Sequence, residues 1–161
     1  MIGKKQDIST SKRNMDYKIF ADTNVFLDYL LKRTPEWEYA REIFAMAELK
    51  QILVVTSSSS LVNVLYGLKQ QKKLKQQDII SIITYLLGYT RLLQTGESTF
   101  IEALSAGFTD LEDAIQYHTA LAVKDVDYFV TSNTKDYKKA LPQLPVITPK
   151  QFLLKVKEKK E

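Results

Sequence analysis

The sequence predicts an α/β fold in which strands and helices alternate around a mainly parallel sheet. Short apolar runs alternate along the chain with longer segments whose apolar residues recur every three to four positions, which is the pattern of βα units. The chain has 161 residues, of which 45% are hydrophobic and 26% charged, as expected for one globular domain with its own core. No internal repeat and no linker rich in proline or glycine indicates a second domain.

Each predicted element follows from its local pattern. Strands are predicted for five short apolar runs bounded by polar residues, at 18–21, 52–55, 91–94, 127–130 and 145–147. Helices are predicted for the periodic segments between them, at 25–31, 36–49, 59–72, 77–89, 98–106, 111–123 and 149–156. Thr34-Pro35 and Thr148-Pro149 each place a capping side chain before a proline at a first helical position.

The ends of the chain differ in composition from its middle. Residues 1–16 are polar and aperiodic and are predicted to form a flexible N-terminal arm. Residues 17–157 are predicted to form the single domain, and 158–161 a charged tail.

Composition excludes several classes of protein. The sequence has no cysteine, which excludes disulfides and thiolate metal sites and suits a reducing cytoplasm. No apolar run approaches the roughly 20 residues of a membrane-spanning helix, and the N-terminal segment lacks the apolar centre of a signal peptide. We therefore predict a cytoplasmic protein without a membrane partner. A net charge of +4 is a weak indication of a polyanionic partner, because basic runs such as 69–75 are more often solvated surface.

Polar residues directly follow three of the predicted strands. Ligands of open α/β sheets bind outside the carboxyl ends of the strands, so these residues are the first candidates for a site. The serines at 57–60 are interpreted as helix caps, since Ser accepts hydrogen bonds from free backbone N–H groups. The other two groups are 22–24, which reads Asp-Thr-Asn, and 131–136.

The predicted helix at 111–123 adds two more carboxylates. Asp110 and Asp113 are three residues apart and therefore neighbours, with Tyr117 further along the same edge, whereas Glu112 points elsewhere. Like charges at this spacing repel, so a compensating group is expected. A helix cap explains Asp110 but not Asp113. His118 is interpreted as a core residue, because it lies within the apolar stripe formed by Leu111, Ala114, Ile115, Leu121 and Ala122.

Carboxylates without Cys, and without His at ligand spacing, are typical of a site for Mg²⁺ or Mn²⁺. Such an ion can activate water and neutralise charge on a phosphoryl oxygen, so a phosphodiester is the expected substrate. Ser–His chemistry is disfavoured because the only histidine, His118, is interpreted as a core residue and not as a general base. The absence of a Gly-rich phosphate loop disfavours an NTPase or a dinucleotide enzyme.

Four stretches of the chain, taken together, resemble a known family. They are "FADTNVFLDYL", "TSSSSLVNVLYGL", "DLEDAIQYHTAL" and "YFVTSNTKDY" followed by "LPVITPKQFL". In order and spacing the chain resembles PIN-domain proteins, particularly the VapC-like ribonuclease toxins of prokaryotic toxin–antitoxin pairs.

The resemblance implies a three-layer α/β/α sandwich with a parallel sheet of about five short strands. An acid cluster at its carboxyl edge would hold Mg²⁺ or Mn²⁺ for cleavage of single-stranded RNA. Asp22 and Asp113 match the family's metal-binding acids, and Asn133 and Asp136 complete the implied catalytic set.

The resemblance also assigns supporting roles. Thr131 belongs to the family's Thr-x-Asp/Asn element, and Thr23 and Asn24 would anchor the turn after the first strand. Where many active members have Glu in the middle helix, this chain has Asn63, and Asn133 replaces a fourth acid. An amide oxygen can bind a hard cation but carries no charge, so Asp110 and Asp136 would supply some of the missing charge.

Two functions remain open from the sequence. The first is a metal-dependent endoribonuclease, the toxin of a toxin–antitoxin pair, which would form a homodimer and bind a small antitoxin protein. The second is a PIN-fold RNA- or protein-binding module with a degenerate metal site. A metal phosphatase or DNA nuclease is disfavoured because such sites usually include His. The apolar segment 78–93 is equally consistent with a central core helix and with a dimer face.

Overall fold

The computed structural model describes residues 15–161, in which a five-stranded sheet is covered by seven α-helices and one 3₁₀ helix. The predicted α/β class with five short parallel strands is confirmed. The strands are β1 Tyr17–Ala21, β2 Ile52–Ser57, β3 Thr90–Leu93, β4 Tyr128–Val130 and β5 Val146–Ile147. The helices are α1 Thr23–Leu30, α2 Glu36–Glu48, α3 Ser58–Lys69, α4 Gln76–Leu87, α5 Glu97–Ser105, α6 Leu111–Leu121, the 3₁₀ helix Thr134–Tyr137 and α7 Pro149–Lys160.

The sheet is parallel throughout, with the order β3-β2-β1-β4-β5. β1 lies at its centre, where Ile19 pairs with Val54 of β2 and Phe20 pairs with Phe129 of β4. Helices cover both faces, so the strands read as continuous apolar runs rather than as alternating ones. Because the strands are parallel, the residues that follow β1, β2 and β4 lie along one edge of the sheet.

Alternation along the strands divides the core into two clusters. Ile19 and Ala21 face a cluster to which α1, α2, α3, α4 and α7 contribute, whereas Phe20 faces a cluster with α5 and α6. The Phe20 and Phe129 rings stack with centroids 4.9 Å apart. The sheet is therefore the middle of three layers, as the resemblance implied.

Helix starts agree with the sequence in most cases. Thr148 caps α7 in a capping box with Gln151, which confirms that prediction. The predicted cap by Thr34 is wrong, because Pro35 itself occupies the N-cap position of α2 and no side chain caps it. The Trp37 amide instead donates to the carbonyl of Arg33 at 2.7 Å.

Helix α6 buries a stripe that shares only Ala114 with the predicted one. Tyr117 is fully buried, with Ala114 and Ala120 one turn to either side, whereas Leu111 is 52% exposed. The Tyr117 hydroxyl donates to the carbonyl of Leu144 at 2.8 Å, so this side chain belongs to the core and not to the acidic edge. The alanines let α6 approach the sheet closely, which explains the choice of stripe.

Helix α4 is not a central core helix. It buries one face through Ile79, Ile83 and Leu86, while Ile80 and Tyr85 are exposed. No helix among residues 15–161 is both long and apolar enough to cross a membrane.

The predicted arm and tail are only partly described. Residues 1–14 of the arm lie outside the described residues, Met15 packs against the core, and the Asp16 amide donates to Gln51 at 3.0 Å. At the other end, α7 continues through Lys160 into the segment predicted to be a tail.

Candidate functional site

Asp22 is a buried carboxylate at the carboxyl end of the central strand. It caps α1 directly after β1, and only 3% of it is exposed. Its Oδ1 accepts from the Val25 amide at 3.2 Å, and its Oδ2 accepts from the Thr131 hydroxyl at 2.5 Å. The pKa of Asp22 is raised to about 7, mainly by burial and to a smaller extent by the charge of Asp113, against the opposing effect of these hydrogen bonds. Asp22 is therefore fixed in place but costly to ionise.

Asp113 lies on a helix of the other layer, near enough to Asp22 for its charge to act there. It lies half-buried in the first turn of α6, and its Oδ1 accepts from the Tyr137 hydroxyl at 3.0 Å. Burial, followed by the charges of Asp110 and Asp136, raises the pKa of Asp113 to about 6. The structure thus brings the two predicted metal ligands close enough to repel each other. Sequence reasoning missed Tyr137, whose position after Asp136 carried no signal.

Asp110 caps α6. Its Oδ1 accepts from the Glu112 amide at 2.8 Å and from the Asp113 amide at 3.2 Å. The side chain is exposed, and its negative charge still acts on Asp113.

The segment after β4 connects the remaining predicted residues. The Asn133 amide donates to the Thr131 hydroxyl oxygen at 3.0 Å, which places Thr131 between Asn133 and Asp22. The Asn133 side-chain nitrogen donates to the carboxylate of Asp136 in the 3₁₀ helix. Asp136 is exposed and influences Asp113 through its charge.

Asn63 contacts Glu112, a carboxylate that was not among the predicted site residues. Its side-chain nitrogen donates to Glu112, whose carboxylate also accepts from Gln116 at 3.2 Å. Glu112 is directed toward α3 while Asp113 is directed toward Tyr137, and the sequence did not anticipate the contact of Glu112 with Asn63. A buried hydrogen bond also joins α3 to α6, in which the Ser60 hydroxyl donates to the side-chain oxygen of Gln116 at 2.8 Å. The Glu112–Gln116 spacing of one helical turn was the available signal.

Thr23 and Asn24 lie at the start of α1. The Thr23 hydroxyl donates to the carbonyl of Ser60 at 3.3 Å and so connects α1 to α3. The backbone of Asn24 helps to stabilise the Asp22 carboxylate. The adjacent serine run caps α3 as expected, with the Ser60 amide donating to Ser57 at 3.0 Å.

His118 lies apart from this arrangement. It packs edge-on against the rings of Phe108 and Tyr117, and burial lowers its pKa. His118 is only partly buried, and its packing against aromatic rings agrees with a structural role.

The donor set fits a small hard cation. Asp22 and Asp113 supply oxygen, repel each other, and take part in none of the ion pairs found between described residues. Among residues 15–161 no three His, Cys, Asp or Glu side chains converge tightly enough to hold a metal by themselves. Mg²⁺ is commonly held by one or two carboxylates and keeps several waters, so two acids with neighbouring amide oxygens are compatible with it.

Comparison with known proteins was made for sequence and fold. Residues 18–135, more than half of the chain, match the sequence model of the PIN domain. A search of curated proteins found no match.

Solved structures with the same fold include proteins of toxin–antitoxin systems. One is VapBC2 from Rickettsia felis bound to a DNA fragment from its promoter, with 18% identity and a TM-score of 0.60 over 81% of this chain and 98% of that one. A toxin–antitoxin complex from Klebsiella pneumoniae has 20% identity and a TM-score of 0.58 over 81% and 97%. Mycobacterium tuberculosis VapC20, a toxin that cleaves the sarcin–ricin loop, has 13% identity and a TM-score of 0.60 over 78% and 98%.

Proposed function

Because the chain belongs to the PIN domain family, we propose that it is a metal-dependent endoribonuclease that cleaves single-stranded RNA. The observation that carries the proposal is that Asp22 and Asp113, both at the carboxyl edge of the sheet, lie near enough for the charge of Asp113 to raise the pKa of Asp22. Repulsion between the two carboxylates destabilises the metal-free protein, so we expect a ligand that binds both of them and offsets this repulsion. A divalent cation is such a ligand.

The side chains of the proposed site have separable roles. Hydrogen bonds from the Thr131 hydroxyl and the Val25 amide orient the Asp22 carboxylate and favour its ionised form. The Tyr137 hydroxyl does the same for Asp113. Asn133 donates through its side-chain nitrogen to Asp136, which leaves its oxygen free as a neutral ligand. When bound, Mg²⁺ or Mn²⁺ would activate water and neutralise charge on a phosphoryl oxygen.

RNA cleavage by the purified full chain tests the proposal. A labelled single-stranded RNA should be cut in the presence of Mn²⁺ or Mg²⁺ and remain intact with EDTA. Asp22→Asn should abolish cleavage while the protein stays folded by circular dichroism. Asp125→Asn is the matched control, since it makes the same change at an exposed residue that precedes β4. Failure of the wild type to cleave with either metal, in preparations free of any bound partner, would refute the enzyme proposal.

The alternative is a PIN-fold RNA- or protein-binding module with a degenerate site. It is favoured by Asn63 and Asn133, whose amide groups donate to Glu112 and Asp136 and so satisfy acids that a cation would otherwise need to neutralise. Calorimetry with Mn²⁺ separates the two functions. Binding that disappears in Asp113→Ala favours the nuclease, whereas RNA binding without any Mn²⁺ binding favours the module.

We further propose an antitoxin partner, a cytoplasmic location and a homodimer. Two of the structures with this fold are toxin–antitoxin complexes, which supports a small antitoxin as partner in the cytoplasm. Exposed apolar side chains on the outer helices, namely Val62 and Tyr66 of α3 and Phe100, Ile101 and Leu104 of α5, support a homodimer. Light scattering should give twice the 18.5 kDa of the chain. A mass equal to one chain at micromolar concentration would contradict the homodimer.

A further inference from the structure

Helix α1 contains a second buried carboxylate that the proposed site does not use. Asp28 lies six residues after Asp22 and is 6% exposed. Burial raises its pKa, while the Ser132 hydroxyl and the charge of Arg33 favour its ionised form. A buried carboxylate is costly unless another group pairs with it or donates a hydrogen bond to it. Its partner is Ser132, whose hydroxyl donates to Oδ2 at 2.6 Å.

Ser132 lies between two residues of the proposed site. The preceding residue, Thr131, donates to Asp22 at 2.5 Å, and the amide of the following residue, Asn133, donates to Thr131 at 3.0 Å. Two consecutive hydroxyls of the segment after β4 therefore bind two carboxylates of the same helix. The Thr131 backbone amide also donates to the carbonyl of Ile147 at 3.0 Å, so the sheet and Asp22 hold the segment at its start. The bond from Ser132 to Asp28 fixes it one residue further along the chain.

The direction of this segment decides where the next residues lie. Asn133 leads into the 3₁₀ helix, in which Asp136 accepts from Asn133 and the Tyr137 hydroxyl donates to Asp113 at 3.0 Å. A rotation at Ser132 would displace Asn133 and weaken the contact between Tyr137 and Asp113.

We propose that Asp28 is a positioning residue of the candidate metal site and acts through Ser132 to fix the segment that presents Thr131 and Asn133. The inference rests on the proposed function, since it assumes that this segment helps to hold a cation. Asp28 itself touches neither cation nor substrate.

Metal affinity of the full chain tests the proposal by calorimetry with Mn²⁺. Asp28→Leu and Ser132→Ala should each weaken binding about tenfold, because each removes a hydrogen bond to a charged group. Asp28→Asn keeps an acceptor oxygen for Ser132 and should bind within about twofold of the wild type. The double variant Asp28→Leu with Ser132→Ala should be no weaker than either single variant, since both remove the same bond.

Ile83→Ala distinguishes positioning from general stability. Ile83 is a core residue of α4 with comparable burial, 9% exposed, and its truncation should lower the melting temperature without changing Mn²⁺ affinity. Wild-type affinity in Asp28→Leu would overturn the proposal. Equal losses in Asp28→Asn and Asp28→Leu would also overturn it, because they would mean that the charge of Asp28 acts on the cation directly.

Hydrogen exchange of the metal-free chain keeps the two proposals separable. Amides at 131–137 should exchange faster in Asp28→Leu than in the wild type, and at the wild-type rate in Asp28→Asn. If the wild type binds no Mn²⁺, the proposed function fails, yet faster exchange would still establish the contact between Asp28 and Ser132 as the one that fixes the segment. Unchanged exchange in Asp28→Leu would overturn the inference whatever the metal does.

Discussion

Replacing Asp22 with Asn should stabilise the metal-free protein above pH 7. Burial raises the pKa of this carboxyl from 3.8 to about 7, and each pKa unit corresponds to about 1.4 kcal/mol. Ionised Asp22 therefore destabilises the metal-free fold by about 4 kcal/mol. Asn carries no charge but keeps an oxygen that can accept from Thr131 and from the Val25 amide.

The sign of the pH dependence follows from the raised pKa. Below about pH 4 the Asp22 carboxyl is protonated in both the folded and the unfolded chain, so its ionisation does not lower the stability of the fold. Between about pH 4 and about pH 7 the unfolded chain loses the proton first, so the stability of the wild type falls as pH rises. The advantage of Asp22→Asn should therefore be about 4 kcal/mol near pH 8 and about 2 kcal/mol near pH 5.

Urea unfolding followed by circular dichroism, with EDTA at both pH values, measures this difference. Asp125→Asn, at an exposed residue, should show no such gain. With Mn²⁺ at about one hundred times its Kd, the wild type should gain about 2.7 kcal/mol and Asp22→Asn should gain nothing. The reasoning is refuted if Asp22→Asn is no more stable than the wild type near pH 8 without metal.

Three further changes test separate parts of the structure. Asn63→Glu should raise Mn²⁺ affinity about tenfold if residue 63 takes the ligand position that the resemblance implies, because it adds a carboxylate there; calorimetry showing weaker binding would contradict that role. Tyr117→Phe should lower the free energy of unfolding by about 1–3 kcal/mol in urea titrations, because the buried carbonyl of Leu144 loses its donor; an unchanged midpoint would argue against that bond. Thr148→Ala should cost about 1 kcal/mol by removing the cap of α7, whereas Thr148→Ser should cost little; equal losses would argue against capping.

The sheet could be predicted because its signal is local. The apolar run that ends at Ala21 is followed by Asp22, which caps the next helix. A short apolar segment followed by a helix-capping residue is typical of a buried strand that leads into a helix. The strand-edge rule placed Asp22, whereas Asp113 lies in a helix, and its place beside Asp22 was implied by the resemblance to PIN-domain proteins.

Helix orientation was harder to predict. Apolar residues occur on more than one side of α6, and the periodicity alone favoured a stripe that includes Leu111. The choice of Tyr117 depends on the space between two layers and on the carbonyl of Leu144, which lies 27 residues away in the chain. The contact of Glu112 with Asn63 was missed for the same reason, since it depends on the approach of α3.

The sequence by itself determined the strands, the helices and the location of Asp22, because backbone preferences and caps act over a few residues. Only the tertiary structure decided which groups meet there. Thr131 donates to Asp22 across 109 residues of chain, and Ser132 donates to Asp28 across 104. Such bonds form only after burial has removed water as a competing partner. Their geometry therefore follows from the packing of the layers and not from the pattern of any one segment.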